Sequence, residues 1–235
     1  MCIRDRNCIS EGEVKNTYGT GCFALTNTGE QIVYSKNGLL TTVAYQVDGN
    51  KPKYALEGSV SVAGAAVQWL RDNLNIINES SEIESLALSV KDNGDVYFVP
   101  AFSGLFSPHW DESARGVLVG ITRYTNKSHI ARAVLESVAY QSYELIKSIE
   151  KDMDTTFNRI NVDGGMVENN LLMQFQADIF DKQVSSQSIN EVTALGVAAA
   201  SFMHELSIPL NEMDNLIIKS KSWNPNMNYL SLIHI

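Results

Sequence analysis

The chain has 235 residues, of which 44% are hydrophobic, 9% aromatic and 19% charged, and its formal net charge is −9. This composition is typical of a globular protein and excludes a disordered or fibrous one. An acidic chain lacks the cationic surface that nucleic acids and anionic membranes require, so we expect neither as a partner, although backbone N–H groups can still hold a small anion.

The cysteines and the N-terminal sequence indicate where the protein resides. Cys2, Cys8 and Cys22 form neither a disulfide framework nor a zinc-binding pattern, so we expect free thiols in a reducing compartment. No apolar run approaches the roughly 20 residues that span a bilayer. The charged N-terminus also lacks the apolar stretch of a secretory signal. The sequence therefore predicts a cytoplasmic protein.

The two ends of the chain differ from its interior. Residues 1–7 and 230–235 follow no cap, turn or periodic pattern. We expect both segments to be non-native, on a natural chain that has been cut at each side. Residues 8–229 are then expected to form a single domain.

The first part of the interior, residues 15–58, has the pattern of short strands. The pairs Thr28-Gly29, Asn37-Gly38 and Asp48-Gly49 separate its apolar runs. Such pairs favour tight hairpins, because these turns need positive φ. The region therefore predicts an antiparallel meander. Its strands are expected at 22–25, 32–34, 39–45 and 54–56.

After residue 58 the apolar period changes to that of a helix. Val62, Ala66 and Trp69 lie three or four residues apart and predict a helix, for which Ser61 is the expected N-cap. Two strands are predicted next. They are expected at 96–99 and 117–121.

The second half of the chain alternates helices with strands. Ser128 is expected to open a long helix with a continuous apolar stripe. A buried strand at 160–162 precedes a helix capped by Asn169 or Asn170, and Thr193 starts a further helix. A meander followed by this alternation predicts one mixed α/β domain whose helices pack on a sheet.

Several common catalytic motifs are absent from the sequence. It contains neither a P-loop nor the nucleophile elbow of serine hydrolases, and His204-Glu205 lacks the second histidine of a zinc protease. The four histidines are scattered, and we assign a role to none of them. Two glycine clusters remain as candidate sites.

The first cluster is Tyr18-Gly19-Thr20-Gly21, directly before a predicted strand. Glycines on both sides of a threonine let the backbone turn tightly and approach a ligand. The Thr20 hydroxyl is then able to donate to a phosphate oxygen or to a water on Mg²⁺. The alternative is an ordinary glycine turn without a ligand.

The second cluster, Asp163-Gly164-Gly165, follows a buried strand and precedes a helix. Ligands of open α/β sheets bind at such strand ends, where the helix N-terminus offers a partial positive charge and unpaired donors. A strand-to-helix turn without a ligand is the alternative. Together the two clusters are typical of the two halves of a nucleotide cleft.

Longer stretches of the interior match a known family. The segment GVLVGI (116–121), followed after seven residues by HIARAVLE (129–136), fits the second signature of the FGGY carbohydrate kinases. Five further segments match the members that phosphorylate glycerol. These are KNTYGTGCF (15–23), NGLLTT (37–42), YALEGSV (54–60), VQWLRD (67–72) and VDGGMVENNLLMQFQAD (162–178). The chain therefore resembles the C-terminal half of this family.

The resemblance implies a fold, a reaction and a set of contacts. The implied fold is an actin-like, ribonuclease H-like ATPase domain, an α/β structure whose mixed sheet carries an N-terminal antiparallel meander and packed helices. The implied reaction transfers a phosphoryl group from ATP, with Mg²⁺, to glycerol. The family's nucleotide contacts fall on Thr20, Gly64, Gln68, Gly165 and Asn169.

The remaining roles implied by the family divide between this chain and residues outside it. Phe23 matches the aromatic residue that packs on the carbon backbone of glycerol, although its local pattern alone predicts a core residue. The family's general-base aspartate lies upstream of Cys8, and Asp163 is not expected to replace it. We therefore expect no catalytic residue here, an inactive isolated chain, and a homo-oligomer for the full-length protein.

Two alternatives remain open at this stage. A kinase for a longer polyol or a ketose would share the two glycine clusters but not the intervening segments. A non-catalytic, actin-like nucleotide-binding module would lack the upstream aspartate. Either alternative keeps the same fold.

Overall fold

The computed structural model describes residues 10–46, 49–187 and 219–227. Several features singled out in the sequence lie outside these ranges. They are the end segments 1–7 and 230–235, the residues Cys2, Cys8, Asp48 and His204, and the helix predicted from Thr193. The described strands are β1 Val14–Tyr18, β2 Cys22–Gly29, β3 Leu40–Tyr45, β4 Lys53–Val60, β5 Tyr97–Val99, β6 Val117–Val119, β7 Arg159–Asp163, β8 Gln183–Gln187 and β9 Lys219–Trp223. The described helices are α1 Gly64–Asp72, α2 Glu82–Leu88, α3 Lys127–Met153 and α4 Asn170–Phe180, with a 3₁₀ turn at Gly165–Glu168.

Seven of these strands form one mixed sheet in the order β3-β4-β2-β1-β7-β8-β9. The pairs β1–β7 and β7–β8 are parallel, and β8–β9 is antiparallel. On the other side of β1, the pairs β1–β2, β2–β4 and β4–β3 are antiparallel, as predicted. The predicted meander order is wrong, however, because β2 pairs with β4 and β3 lies at the outer edge of the sheet. Strands β5 and β6 pair separately in a small antiparallel sheet.

The strand predicted at 32–34 is wrong. These residues form a connection, with Ile32 and Tyr34 exposed. The turn that follows is held by α3, because the Asp152 carboxylate accepts hydrogen bonds from the Lys36 N–H at 2.9 Å and from Asn37 Nδ2 at 2.7 Å. This part of the chain is thus held by hydrogen bonds to a helix side chain and not by backbone pairing with another strand.

Two predicted helix starts need correction. Ser61 does not cap α1, since its hydroxyl donates instead to the Gly104 carbonyl at 3.4 Å. Ser128 does not open α3, because the cap is Asn126, whose Oδ1 accepts from the Ser128 N–H at 2.9 Å. The predicted cap of α4 is confirmed as Asn169.

The long helix α3 and the helix α4 cover one face of the sheet at β1. Asn16 Nδ2 donates to Ser142 Oγ on α3 at 3.2 Å, and the Tyr18 hydroxyl donates to Gln176 Oε1 on α4 at 2.7 Å. Neighbouring side chains of a strand point to opposite faces, so Lys15 and Thr17 lie on the other face. The predicted α3 stripe, which includes Val134, Val138, Leu145 and Ile149, is buried in the main core.

Candidate functional site

The first glycine turn, Gly19-Thr20-Gly21, joins β1 to β2. Its Gly19 N–H donates to the Gly21 carbonyl at 2.9 Å, which closes a tight turn. A Cβ on Gly21 would lie 2.3 Å from the Val60 carbonyl oxygen, so this position accepts no side chain without movement of β4. The Thr20 side chain is exposed at the tip of the turn.

The start of α1 is bound to this turn by backbone hydrogen bonds. The N–H groups of Ala63 and Ala65 donate to the Thr20 carbonyl at 2.8 and 3.0 Å, and the Gly64 N–H donates to the Gly19 carbonyl at 3.0 Å. The first two N–H groups of the helix, which no residue of the helix itself can accept, are therefore satisfied here by the turn. Gln68 lies one helical turn beyond Gly64 and is exposed.

The second glycine turn, Gly164-Gly165, follows β7 at the same edge of the sheet. Gly164 has φ +94°, and a Cβ on it would lie 2.2 Å from the carbonyl oxygen of Tyr18, the last residue of β1. A Cβ on Gly165 would meet no atom within 4 Å, and the residue is exposed. The first glycine of the turn thus provides the close backbone contact, while the second faces open space.

The N-terminus of α4 differs from the sequence expectation of unpaired donors for a ligand. The Leu172 N–H donates to Asn169 Oδ1 at 2.8 Å, and the Leu171 N–H donates to Glu84 Oε1 at 2.9 Å. A carboxylate of the protein thus already occupies this helix end. The second glycine turn therefore suits the flat, uncharged part of a ligand better than a phosphate.

The two turns and the start of α1 converge at the carboxyl ends of β1 and β7. Thr17 on β1 pairs with Asp163 on β7, which brings the ends of the parallel strands side by side. A Cβ on Gly64 would lie 2.6 Å from the Gly19 oxygen and 3.6 Å from Met166 Sδ in the 3₁₀ turn. The first turn thus binds α1 while the second lies beside it at the same edge, which is where open α/β sheets bind ligands.

Phe23 lies on β2, three residues beyond Thr20. Its side chain is 43% exposed, so the core location predicted from its local pattern is wrong. Phe23 pairs with Thr17 and Ser59, and directly paired residues share a face of the sheet. That face is opposite α3 and α4, whereas the neighbouring Cys22 is buried toward the helices.

A buried ion pair, which the sequence analysis missed, links β1 and β7 just below the two turns. Lys15 Nζ on β1 is 2.6 Å from Asp163 Oδ2 at the end of β7, and their side chains are 1% and 5% exposed. The lysine and the glycine cluster are 148 positions apart in the sequence (163 − 15). The only sequence signal was a lysine at the start of the strand-like region 15–58, in which no strand was predicted before residue 22.

Two titratable groups beside the first glycine turn stay protonated at neutral pH. Burial raises the pKa of the Cys22 thiol to about 12. Burial, together with the nearby Cys22, raises the pKa of the Tyr18 hydroxyl well above its ordinary value. Neither group is therefore suited to act as a nucleophile or a base.

The described part of the chain contains no group of three or more His, Cys, Asp or Glu side chains arranged to hold a metal ion. Within the same ranges, no helix combines the length and the apolar character needed to cross a membrane. Cys22 is a free, buried thiol, as predicted.

Comparison with known sequences gives consistent matches over most of the chain. Residues 14–205 match the family described as FGGY family of carbohydrate kinases, C-terminal domain. A glycerol kinase of Methylobacterium radiotolerans is 54% identical over 224 residues, which are 95% of this chain and 45% of that protein. A glycerol kinase of Brucella anthropi is 61% identical over 194 residues, which are 83% of this chain and 39% of that protein. The chain thus spans less than half the length of these relatives.

Comparison with solved structures supports the same assignment. The glycerol kinase of Plasmodium falciparum, solved with ADP, matches 99% of this chain and 46% of its own chain, with a TM-score of 0.89 and 39% identity. A xylulose kinase of Lactobacillus acidophilus matches 96% of this chain and 45% of its own, with a TM-score of 0.80 and 22% identity, which shows the fold alone. The predicted actin-like, ribonuclease H-like fold is confirmed by these neighbours.

Proposed function

The chain belongs to the FGGY family of carbohydrate kinases, of which it matches the C-terminal domain. On this basis we propose that it forms the nucleotide-binding half of an ATP-dependent glycerol kinase. The observation that carries the proposal is that the two glycine turns lie side by side, because the Gly64 N–H of α1 donates to Gly19 in the first turn and the parallel strands that end in the two turns are neighbours. The identities of 54% and 61% to proteins named glycerol kinase support glycerol as the acceptor.

Each predicted nucleotide contact has a proposed role at this edge. The exposed hydroxyl of Thr20 donates to a phosphate oxygen, in a turn whose backbone is fixed by α1. Gly64 and Gln68 border the phosphates from one side of α1. Gly165 and Asn169 border the adenosine, because the open space at Gly165 admits a flat ring and the α4 end beside it already holds a carboxylate.

The acceptor is proposed to bind on the face that carries Phe23. An exposed aromatic ring beside the phosphate turn offers an apolar surface for the carbon backbone of glycerol. We further propose that the general base is an aspartate outside this chain, which draws the proton from a terminal hydroxyl. Catalysis then consists mainly of in-line positioning and charge stabilisation.

We propose that ATP is used as its magnesium complex. The described residues offer no carboxylate cluster for an ion, so this chain would contact the ion through the phosphates of the nucleotide. When bound, Mg²⁺ neutralises charge that develops on the transferred group. The whole protein is proposed to be cytoplasmic and to form a homo-oligomer. Sedimentation of the intact kinase would test the oligomeric state.

A hybrid kinase tests the proposal. Residues 8–229 of this chain replace the matching C-terminal part of the Methylobacterium radiotolerans glycerol kinase. We expect ATP-dependent formation of glycerol 3-phosphate by the hybrid and only background activity from the 235-residue chain alone. Preference of the hybrid for a longer polyol or a ketose would overturn the assignment of glycerol. Absence of ATP consumption with any acceptor would favour a non-catalytic module.

A further inference from the structure

The buried pair of Lys15 and Asp163 has a specific location in the sheet. Lys15 lies four residues before Gly19, and Asp163 directly precedes Gly164. Strands β1 and β7 are parallel neighbours with Thr17 opposite Asp163, so the lysine side chain runs along β1 toward the strand ends. The pair therefore links the two strands just below the two glycine turns.

The position of the Asp163 carboxylate is fixed mainly by its contact with this lysine. Its Oδ1 atom and the Thr17 hydroxyl oxygen are both buried, and neither has a hydrogen-bond partner among the described residues. The other oxygen, Oδ2, contacts Lys15 Nζ at 2.6 Å. Lys15 is thus the described group that fixes where the carboxylate lies.

A contribution to folding stability does not by itself explain why a buried ion pair occupies this position. Desolvation of two charges offsets much of their attraction, and apolar residues of similar volume often stabilise a fold as well or better. Apolar contact is also non-directional, whereas a short charge-assisted hydrogen bond restricts distance and angle. An ion pair at this position therefore supplies alignment between β1 and β7 that apolar packing would not.

We infer that Lys15 and Asp163 are a positioning pair that sets the first glycine turn against the second. The inference rests on the proposed function, because the two turns are proposed to hold the phosphates and the adenosine of one nucleotide. Neither residue touches the nucleotide in this role. A shift of β1 along β7 would move one binding turn relative to the other and weaken nucleotide affinity without unfolding the domain.

The test separates alignment from stability in the hybrid kinase. The double variant Lys15→Met/Asp163→Leu replaces the pair with apolar residues of similar volume, so its melting temperature without ligand should remain close to that of the parent. Its affinity for ADP, measured by calorimetry, should fall about tenfold or more, because small displacements of binding groups have large effects. The control is Lys182→Met, which breaks a buried contact to Glu150 at 3.2 Å near the opposite end of β7. This control should lower the melting temperature and leave ADP affinity unchanged.

Each outcome bears on the inference. A folded double variant with parental ADP affinity overturns it, while the proposed function stands. If the double variant does not fold, Lys15→Arg decides, because it keeps the charge but alters the head-group geometry. A folded Lys15→Arg hybrid should bind ADP more weakly, and parental affinity or failure to fold would make the pair purely structural. A parent hybrid that binds no ADP contradicts the proposed function and this inference together.

Discussion

The Gly64 N–H donates to the Gly19 carbonyl at 3.0 Å, and this hydrogen bond joins the start of α1 to the first glycine turn. The approach is close enough that a Cβ on Gly64 would lie 2.6 Å from the same oxygen. The turn therefore replaces a side-chain cap for α1, and the helix in turn fixes the backbone of the proposed phosphate site.

Gly64→Ala tests this contact. The added methyl group must displace the Gly19 carbonyl, so we expect a loss of about 1–3 kcal/mol in the free energy of unfolding, together with weaker ADP binding. The control is Gly165→Ala, whose methyl group would meet no atom within 4 Å. Equal melting temperatures for the two hybrid variants would contradict the assigned contact.

Leucine substitutions at the second glycine turn should separate binding from folding. Gly165→Leu extends into open space, so the hybrid should keep its melting temperature without ligand and lose most of its affinity for ADP. Gly164→Leu should destabilise the fold, because this residue has φ +94° and its Cβ would lie 2.2 Å from the Tyr18 oxygen. If Gly165→Leu binds ADP as the parent does, the adenosine does not lie against this residue.

Thr20→Val tests the proposed phosphate contact. The variant keeps the branched shape and removes an exposed hydroxyl, so its melting temperature should not change. Loss of a hydrogen bond to a charged group should reduce kcat/KM for ATP by the equivalent of about 1.5–3 kcal/mol, or roughly 10- to 100-fold. Thr20→Ser, which keeps the hydroxyl, should retain most of the activity. If Thr20→Val has the kinetics of the parent, the Thr20 hydroxyl does not contact a phosphate and the residue only forms the turn.

Phe23 and Leu25 provide a matched pair on one face of β2. Phe23 is 43% exposed and Leu25 is 2% exposed. Phe23→Ala should therefore leave the melting temperature nearly unchanged and raise KM for glycerol about tenfold, because apolar contact with the substrate is lost. Leu25→Ala should cost about 2–5 kcal/mol of stability without a specific effect on this KM. If the KM for glycerol is unchanged in Phe23→Ala, Phe23 does not contact glycerol.

Glu150 near the end of α3 should make stability depend on pH. Burial raises the pKa of this carboxyl, but hydrogen bonds from Lys147, the Phe157 N–H and Lys182 outweigh it and hold the pKa below its ordinary value of 4.5. A lowered pKa in the folded state stabilises the protein above the unfolded value, and that contribution disappears as the pH falls through the folded value.

Glu150→Gln should therefore lower the melting temperature at pH 7, and the difference from the parent should shrink as the pH falls below about 4.5. Thermal melts from pH 7 to pH 3 would measure this. The control is Glu30→Gln, because Glu30 also contacts lysines, Lys51 and Lys53, but at the exposed surface. Its effect should be close to zero at every pH. A constant difference for Glu150→Gln across the range would exclude ionisation as the cause.

Local sequence patterns determined much of the architecture. The pairs that end in Gly29 and Gly38, which have φ +68° and +76°, indicated turns of the chain correctly, although not the order of the strands between them. Asn169 was correctly expected among the caps of α4, because a cap involves residues only three positions apart. The apolar stripe of α3 likewise follows from helical periodicity alone. Extended family segments, more than any single motif, indicated the proposed activity.

Other features depend on which distant segments meet, and only the tertiary structure decided them. The start of α1 is capped by the carbonyls of Gly19 and Thr20, so no pattern near Ser61 was able to reveal its cap. The exposure of Phe23 depends on which face of β2 the helices cover, and the pairing of Lys15 with Asp163 depends on the register of β1 against β7. Propensity and periodicity act over a few residues, whereas register and burial are set by contacts between residues far apart in the chain.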